Sequence, residues 1–264
     1  MKNSPDQKEA TLREAGQNAQ QSKGPNAGGP NLASDPLAPA VFWWHAAAAI
    51  VLTALAAPFD LAASNAVRAS DATILSWMVL ITDIGRNFWY LTPAGVLLVL
   101  ALAGLRTRSE PRERTILRAI AGHAGFVIAA VFGATIITNI LKPVIGRARP
   151  ELADQFGAYH FQPFTFDDLF YSFPSGHSTT IGAVTMVLIL WFPRFRWLLL
   201  LVGAFLAATR VAALAHWPSD VIAGFSIGVG TTFLVARTMA SRELFFRLSP
   251  GKILPDVIGF SLQK

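Results

Sequence analysis

The chain alternates between long apolar runs and short charged connections, and the lengths of those runs set its expected architecture. Six stretches free of Asp, Glu, Lys and Arg lie at roughly 41–59, 87–105, 119–141, 176–193, 197–209 and 221–236. A helix needs about 20 apolar residues to cross a bilayer, and about 17 can suffice, so each stretch is read as a span. The fifth is short, and it extends past Arg210 to Ala215 if that arginine sits at a helix end facing a polar cavity, where an ionisable side chain is tolerated. Between the first two spans, the run Ile74–Ile81 is too short to cross and is flanked by Asp71, Asp83 and Arg86. It predicts an interfacial or folded-back helix. The expected fold is all-α: a six-transmembrane helical bundle with an extra interfacial helix on the non-cytoplasmic side.

Composition divides the chain further. Residues 1–40 are rich in Gln, Asn, Ser, Gly and Pro and predict a disordered cytoplasmic tail. The first apolar run begins only at Val41, too far along for the core of a cleavable signal, so the first span is expected to be retained. Residues 41–240 then form the membrane domain and 241–264 a cytoplasmic C-terminal tail. With 53% hydrophobic and 14% charged residues and a mean hydropathy of +0.44, a disordered chain is excluded and a water-soluble enzyme is disfavoured. The absence of cysteine removes disulfides, thiolate zinc sites and cysteine nucleophiles.

Charge placement gives an orientation. A surplus of +6 in a soluble domain would suggest nucleic acid, but in an apolar chain it reports topology, and no nucleic-acid partner is expected. The first forty residues, the 106–118 link, the 193–196 turn and the segment from Arg237 onward together hold sixteen Lys and Arg, against six on the opposite side. By the positive-inside rule both termini are expected in the cytoplasm. Trp43, Trp44, Trp89, Trp191 and Trp197 lie near span ends, as an interfacial belt requires. No Asn-x-Ser/Thr sequon with a permitted middle residue occurs, which favours a bacterial inner membrane. The chain carries no signal for oligomeric state.

On the sparsely charged side, basic residues and histidines gather in three clusters with chemistry. Lys142-Pro-Val-Ile-Gly-Arg147-Ala-Arg149-Pro150 closes the third span. The seven-residue spacing places Lys142 and Arg149 on one helical face, whereas Pro143, Gly146 and Pro150 favour an irregular backbone equally. Pro174-Ser175-Gly176-His177 opens the fourth span with free backbone N–H groups suited to an anion. Thr209-Arg210 through His216-Trp-Pro-Ser-Asp220 joins the last two spans. Pro218 can open a helix, placing Asp220 in its first turn, where the carboxylate stays ionised and can accept from His216. A nucleophilic histidine needs one free nitrogen and a held N–H, which such a partner supplies. Taken singly, each cluster also has an ordinary reading: a headgroup contact, a helix start, and a capping Asp beside an interfacial His-Trp pair. Together, at one membrane face, they make a phosphate site, with Lys142, Arg149, Arg210 and the Ser175–Gly176 region as donors.

These blocks closely resemble the signature of the type 2 phosphatidic acid phosphatase superfamily: Lys, six residues, Arg-Pro; Pro-Ser-Gly-His; Ser-Arg, five residues, His, three residues, Asp. Lys142–Pro150, Pro174–His177 and Arg210, His216 and Asp220 match it, with Thr209 where the family usually has Ser. The resemblance covers the six spans and not the tail. It implies that His216 attacks phosphorus to form a phosphohistidine, Asp220 orients it and His177 protonates the leaving oxygen. Lys142, Arg149, Ser175, Gly176 and Arg210 would hold the phosphate, with no metal and no cofactor. The expected activity is hydrolysis of a phosphate monoester or diphosphate head group at the periplasmic face. Phosphatidic acid, phosphatidylglycerol phosphate, polyprenyl diphosphate and lipid A phosphate are the candidates, with membrane lipids as partners. Binding or transport of an anionic lipid without hydrolysis is the alternative, which the paired histidines disfavour. A vanadate-dependent peroxidase is disfavoured by the six apolar stretches. His45 and His123 are expected to be packed polar residues. The loop with Tyr159, His160, Phe161, Asp154, Asp167 and Asp168 is read as either a substrate rim or a solvated loop.

Overall fold

The computed structural model describes residues 37–70, 73–242, 244–249 and 252–258. The expected disordered tail therefore falls outside the described residues up to position 36, and helix is already present at Leu37. The described elements are α1 (Leu37–Ala56), α2 (Asp60–Arg68), α3 (Thr73–Ile81), α4 (Phe88–Thr107), α5 (Pro111–Ile145), the single turn α6 (Ala153–Phe156), α7 (Gly176–Trp191), α8 (Arg196–Ala212), α9 (Pro218–Ser241), β1 (Phe246–Arg247) and β2 (Asp256–Val257).

The fold is helical, and among the described residues five segments are long and apolar enough to cross a bilayer: Pro39–Arg68, Thr73–Thr107, Pro111–Ile145, Pro193–Ala212 and Pro218–Ser241. The stretch expected as the fourth span forms α7, of 16 residues, about 24 Å at 1.5 Å per residue. Its start is set by the Ser175 cap and its end by Phe192-Pro193, so it is shorter than its apolar run. The segment between the first two apolar stretches folds as α2, α3 and a 3-10 turn at Thr82–Gly85. In α8 the helix ends at Ala212, not at Ala215.

Packing explains the order of burial. α7 and α9 form the centre, and α7 buries both its small and its large residues, from Ser178 to Leu190. A Cβ on Gly182, Gly224 or Gly228 would stand 2.1, 2.3 or 2.1 Å from a backbone oxygen of the facing segment, so these positions admit no side chain without separating the pair. Close backbone approach through small residues is how helices associate where lipid removes the hydrophobic drive. α4 and α5 form a hairpin whose connection is tied by Arg114 Nη1, which donates to the carbonyls of Leu105 at 2.7 Å and Arg108 at 2.9 Å. Pro111 opens α5, where its missing N–H costs nothing. At 35 residues, α5 is about 52 Å long, more than the roughly 30 Å hydrocarbon core, so its basic first turns extend past the apolar zone. Trp43, Trp44, Trp89 and Trp197 are exposed on α1, α4 and α8, where lipid is their solvent. After α9 the chain returns as the β1–β2 ladder, and Phe246 is buried edge-on against Phe126, with ring centroids 4.7 Å apart.

Candidate active site

Gly146 ends α5 in the left-handed conformation, at φ 60°, and a Cβ there would collide with the Gln162 carbonyl oxygen at 1.9 Å. That glycine resolves the two backbone readings of the first cluster. Lys142 stands in the last helical turn, while Arg147 and Arg149 lie beyond it in extended chain held by the loop that follows. The loop returns as a partner: Ala148 N donates to the His160 carbonyl at 3.0 Å, and Ser172 N donates to the Arg147 carbonyl at 3.1 Å. Thus His160 contributes backbone to the scaffold, and the Asp168 carbonyl accepts from Arg149 Nε at 2.8 Å. Tyr159 Oη donates to the Ala57 carbonyl at 2.7 Å, and Asp154 pairs with Arg68 at 3.1 Å.

The helix ends bring the three clusters together. Ser175 caps α7 and accepts from Ser178 N at 3.4 Å, while its own N–H donates to the Asp220 carbonyl at 3.1 Å, joining the second cluster to the third. Lys142 Nζ lies 3.6 Å from where a Gly176 Cβ would be, so the glycine leaves room for that ammonium. Arg149 Nη1 donates to the Ala215 carbonyl at 3.1 Å, beside His216. Arg210 Nη1 donates to Thr82 Oγ1 at 3.1 Å, and its Nε is buried without a hydrogen-bond partner among the described residues. A buried guanidinium donor without a protein acceptor suits an anion.

His216 is buried, and its Nδ1 lies 2.7 Å from the Ser172 carbonyl. A carbonyl only accepts, so Nδ1 carries the proton and Nε2 keeps its lone pair. Nε2 has no hydrogen-bond partner among the described residues, yet it is not one of the sealed, unpartnered atoms. The expected direct acceptor, Asp220, stands 3.7 Å from Nδ1, beyond hydrogen-bond distance. Its carboxylate is engaged elsewhere: Oδ2 accepts from Ser172 Oγ at 2.5 Å and from Trp217 N at 3.0 Å, and Oδ1 accepts from Arg147 Nη1 at 2.6 Å. Asp220 therefore acts on His216 through space and through Ser172. Burial pushes the His216 imidazole down to about 4; Asp220, favouring the charged ring, offsets only part of this, and Arg149 and Arg210 add to the lowering. Burial also lowers the Arg149 guanidinium, against Asp168 and Asp220, but an arginine stays charged.

Motif reading missed the layer behind this histidine. Arg147, 3% exposed, donates to Asp60 Oδ2 at 2.7 Å, to Asp220 Oδ1, and to Ser219 Oγ at 2.7 Å. Asp60 also accepts from Ser219 N at 2.9 Å and Ser219 Oγ at 2.5 Å. Two buried carboxylates thus share one guanidinium. An arginine flanked by Gly146 and Ala148 beside an apolar span was the available signal; Asp60 had none beyond its position after the first span. His177 stands in the first turn of α7, and the other two histidines pack as expected: His45 Nε2 is 2.9 Å from the Ser226 carbonyl, and His123 stands edge-on to Trp191 and Phe245.

Comparisons with known proteins identify the family of the chain. The PAP2 superfamily model matches residues 123–243. A lipid A 1-phosphatase of Rhizobium johnstonii is 35% identical over 171 residues, covering 65% of this chain and 70% of the relative. An undecaprenyl-diphosphatase of Sulfolobus acidocaldarius is 31% identical over 165 residues, covering 62% and 69%. A crystal structure of a transmembrane PAP2 type phosphatidylglycerolphosphate phosphatase from Bacillus subtilis aligns with a TM-score of 0.46 at 20% identity, covering 73% of this chain and 94% of that one. The chain belongs to the PAP2 superfamily. It is a multi-pass membrane protein of the phosphatase class.

Proposed function

We propose that the protein hydrolyses the phosphate monoester or diphosphate of a lipid head group at the periplasmic face of a bacterial inner membrane, through a phosphohistidine at His216. The observation that carries the mechanism is the 2.7 Å contact from His216 Nδ1 to the Ser172 carbonyl, which leaves Nε2 as the nucleophilic nitrogen. Lys142, Arg149, Arg210 and the Ser175–Gly176 turn surround the phosphate and supply positive charge where the transition state develops negative charge. Nε2 forms the N–P bond as the P–O bond to the lipid breaks. The leaving oxygen takes a proton from His177. Water then attacks phosphorus, His177 recovers a proton from it, inorganic phosphate departs and His216 regains its lone pair. Asp220 compensates the charge that His216 carries in the intermediate. Lysine and arginine supply the cationic charge in this scheme, so no metal is required.

The same orientation puts α7 across the membrane as a sixth, short span, with both termini in the cytoplasm. The sixteen-to-six division of basic residues supports it. Lipid A phosphate, undecaprenyl diphosphate, phosphatidylglycerol phosphate and phosphatidic acid are the substrates to compare, the first two because relatives of 35% and 31% identity carry those activities in their names. The test is phosphate release by detergent-purified protein on this panel in excess chelator, beside His216→Ala. Release that survives chelation and disappears in the variant is expected. Release that persists in His216→Ala would sink the nucleophile assignment.

A further inference from the structure

A cavity opens beside His177 and Gly176, at the start of α7. It has a volume of about 280 Å³ and is lined by Gly85, Arg86, Asn87, Thr135, Asn139 and His177, among others. The turn at Thr82–Gly85 is pressed against the histidine: a Cβ on Gly85 would lie 2.8 Å from His177 Cβ. The three threonines that contribute to the wall use their hydroxyls internally. Thr135 Oγ1 donates to the Val131 carbonyl at 2.8 Å, Thr138 Oγ1 pairs with Thr179 Oγ1 at 3.0 Å, and Thr180 Oγ1 donates to the Gly176 carbonyl at 3.3 Å. The two asparagines are different. Among the described residues, neither Asn87 nor Asn139 has a side-chain hydrogen bond within the protein, and Arg86 makes only its 3.1 Å pair with Asp83. Asn139 sits inside the apolar α5, one turn before Lys142 and so on the same face. A carboxamide in such a segment is costly and marks a site where something polar is met.

We propose that this cavity is a leaving-group subsite, and that it selects a saccharide. The inference rests on the mechanism above, in which His177 protonates the leaving oxygen, because that oxygen and whatever it belongs to must then lie beside His177. Each free carboxamide offers two donors and an acceptor, which is the pattern that sugar hydroxyl and amide groups complement. A second phosphate only accepts, and the cation available to it, Arg86, is already compensated by Asp83. An acyl glycerol placed here would leave both carboxamides facing few partners. Asn87, Asn139 and Arg86 are therefore specificity residues for a phosphorylated saccharide lipid, touching the sugar and not the phosphorus.

The experiment compares kcat/KM for lipid A phosphate, phosphatidic acid and undecaprenyl diphosphate in the full-length protein, in wild type, Asn139→Ala, Asn87→Ala and Arg86→Ala, with His216→Ala as the blank. The expected result is a fall of about tenfold or more in the ratio of lipid A phosphate to phosphatidic acid in Asn139→Ala, since a site built to hydrogen-bond a substrate loses discrimination when those bonds go. Arg86 is exposed, so its variant keeps the test valid if Asn139→Ala does not fold. An unchanged ratio, with or without slower turnover, assigns the side chains a structural role and overturns the subsite. A loss confined to undecaprenyl diphosphate overturns the saccharide. If wild type releases phosphate from none of the three, or His216→Ala from all, the mechanism fails and the subsite with it.

Discussion

The Ser172 carbonyl, at 2.7 Å, is nearer to His216 Nδ1 than the carboxylate of Asp220, at 3.7 Å. The backbone sets the tautomer and the carboxylate sets the charge. Where a carboxylate also fixes the tautomer, as in a serine protease triad, its amide replacement costs about 10⁴ in kcat because the wrong nitrogen is protonated. Asp220→Asn here leaves the carbonyl acceptor in place. Its kcat is expected to fall by more than about tenfold but well short of that 10⁴-fold loss, and the decline is to be read against His216→Ala under the same conditions. A loss as large as that of the His216 variant would mean that Asp220 controls the tautomer after all.

The Asp60–Arg147–Asp220 bridge gives a stability prediction. Its side chains are 4% exposed or less, so removal of the shared cation strands two buried carboxylates. Breaking a buried pair from one side costs about 3–5 kcal/mol, and Arg147→Ala should lower the thermal midpoint in detergent by several degrees. Asp60→Asn, which retains a hydrogen-bond acceptor and leaves Arg147 paired with Asp220, should cost less. If the exposed Arg86→Ala lowered the midpoint as much as Arg147→Ala, the network would hold no special share of the stability.

These residues also show where sequence reading stops. Lys142, Arg149, His177, Arg210, His216 and Asp220 could be picked out as candidates because a phosphate site would require cations and histidines at fixed spacings from helix ends. Asp60 and Arg147 are 87 positions apart, and no local pattern connects them. Ser172 was illegible for a different reason: the group that holds His216 is a backbone carbonyl, which every residue has. The apolar runs located the helices well, but they overstated α7, whose ends are set by a Ser175 cap and by Pro193 and not by where hydrophobicity fades.

Burial predicts how His216 titrates. Its imidazole is held at about 4 in the folded protein, against an ordinary value of 6.5. Because the folded value is the lower, the unfolded chain takes up the extra proton first. The group's contribution to stability is then complete above about pH 6.5 and is lost as pH falls toward 4. In protein labelled with ¹⁵N-histidine, the resonance absent from His216→Asn should keep neutral-ring shifts at pH 5.5. The thermal midpoint of wild type should fall more between pH 7 and pH 5 than that of the variant. A His216 ring that is half protonated near pH 6.5 would contradict the buried, neutral ring that the proposed mechanism requires.

Gly85 offers the sharpest separation of folding from catalysis. It is buried in a short 3-10 turn, and a methyl group there would stand 2.8 Å from His177 Cβ and 3.1 Å from its Cδ2. Under 3.0 Å something must shift, and α7 cannot, because Gly182 is locked against the Phe225 carbonyl. The turn or the imidazole must therefore move. A displacement of about 1 Å in a positioned group can cost on the order of 10²-fold in rate. Gly85→Ala should accordingly lower kcat by about tenfold to a hundredfold while its thermal midpoint stays within a few degrees of wild type, an effect on the proton donor rather than on the fold. Phosphate as a product inhibitor should bind the variant about as well as wild type, because Lys142, Arg149 and Arg210 are untouched. Full activity in Gly85→Ala would show that the position of His177 does not limit turnover, and the role of proton donor would then have to be sought elsewhere in the site.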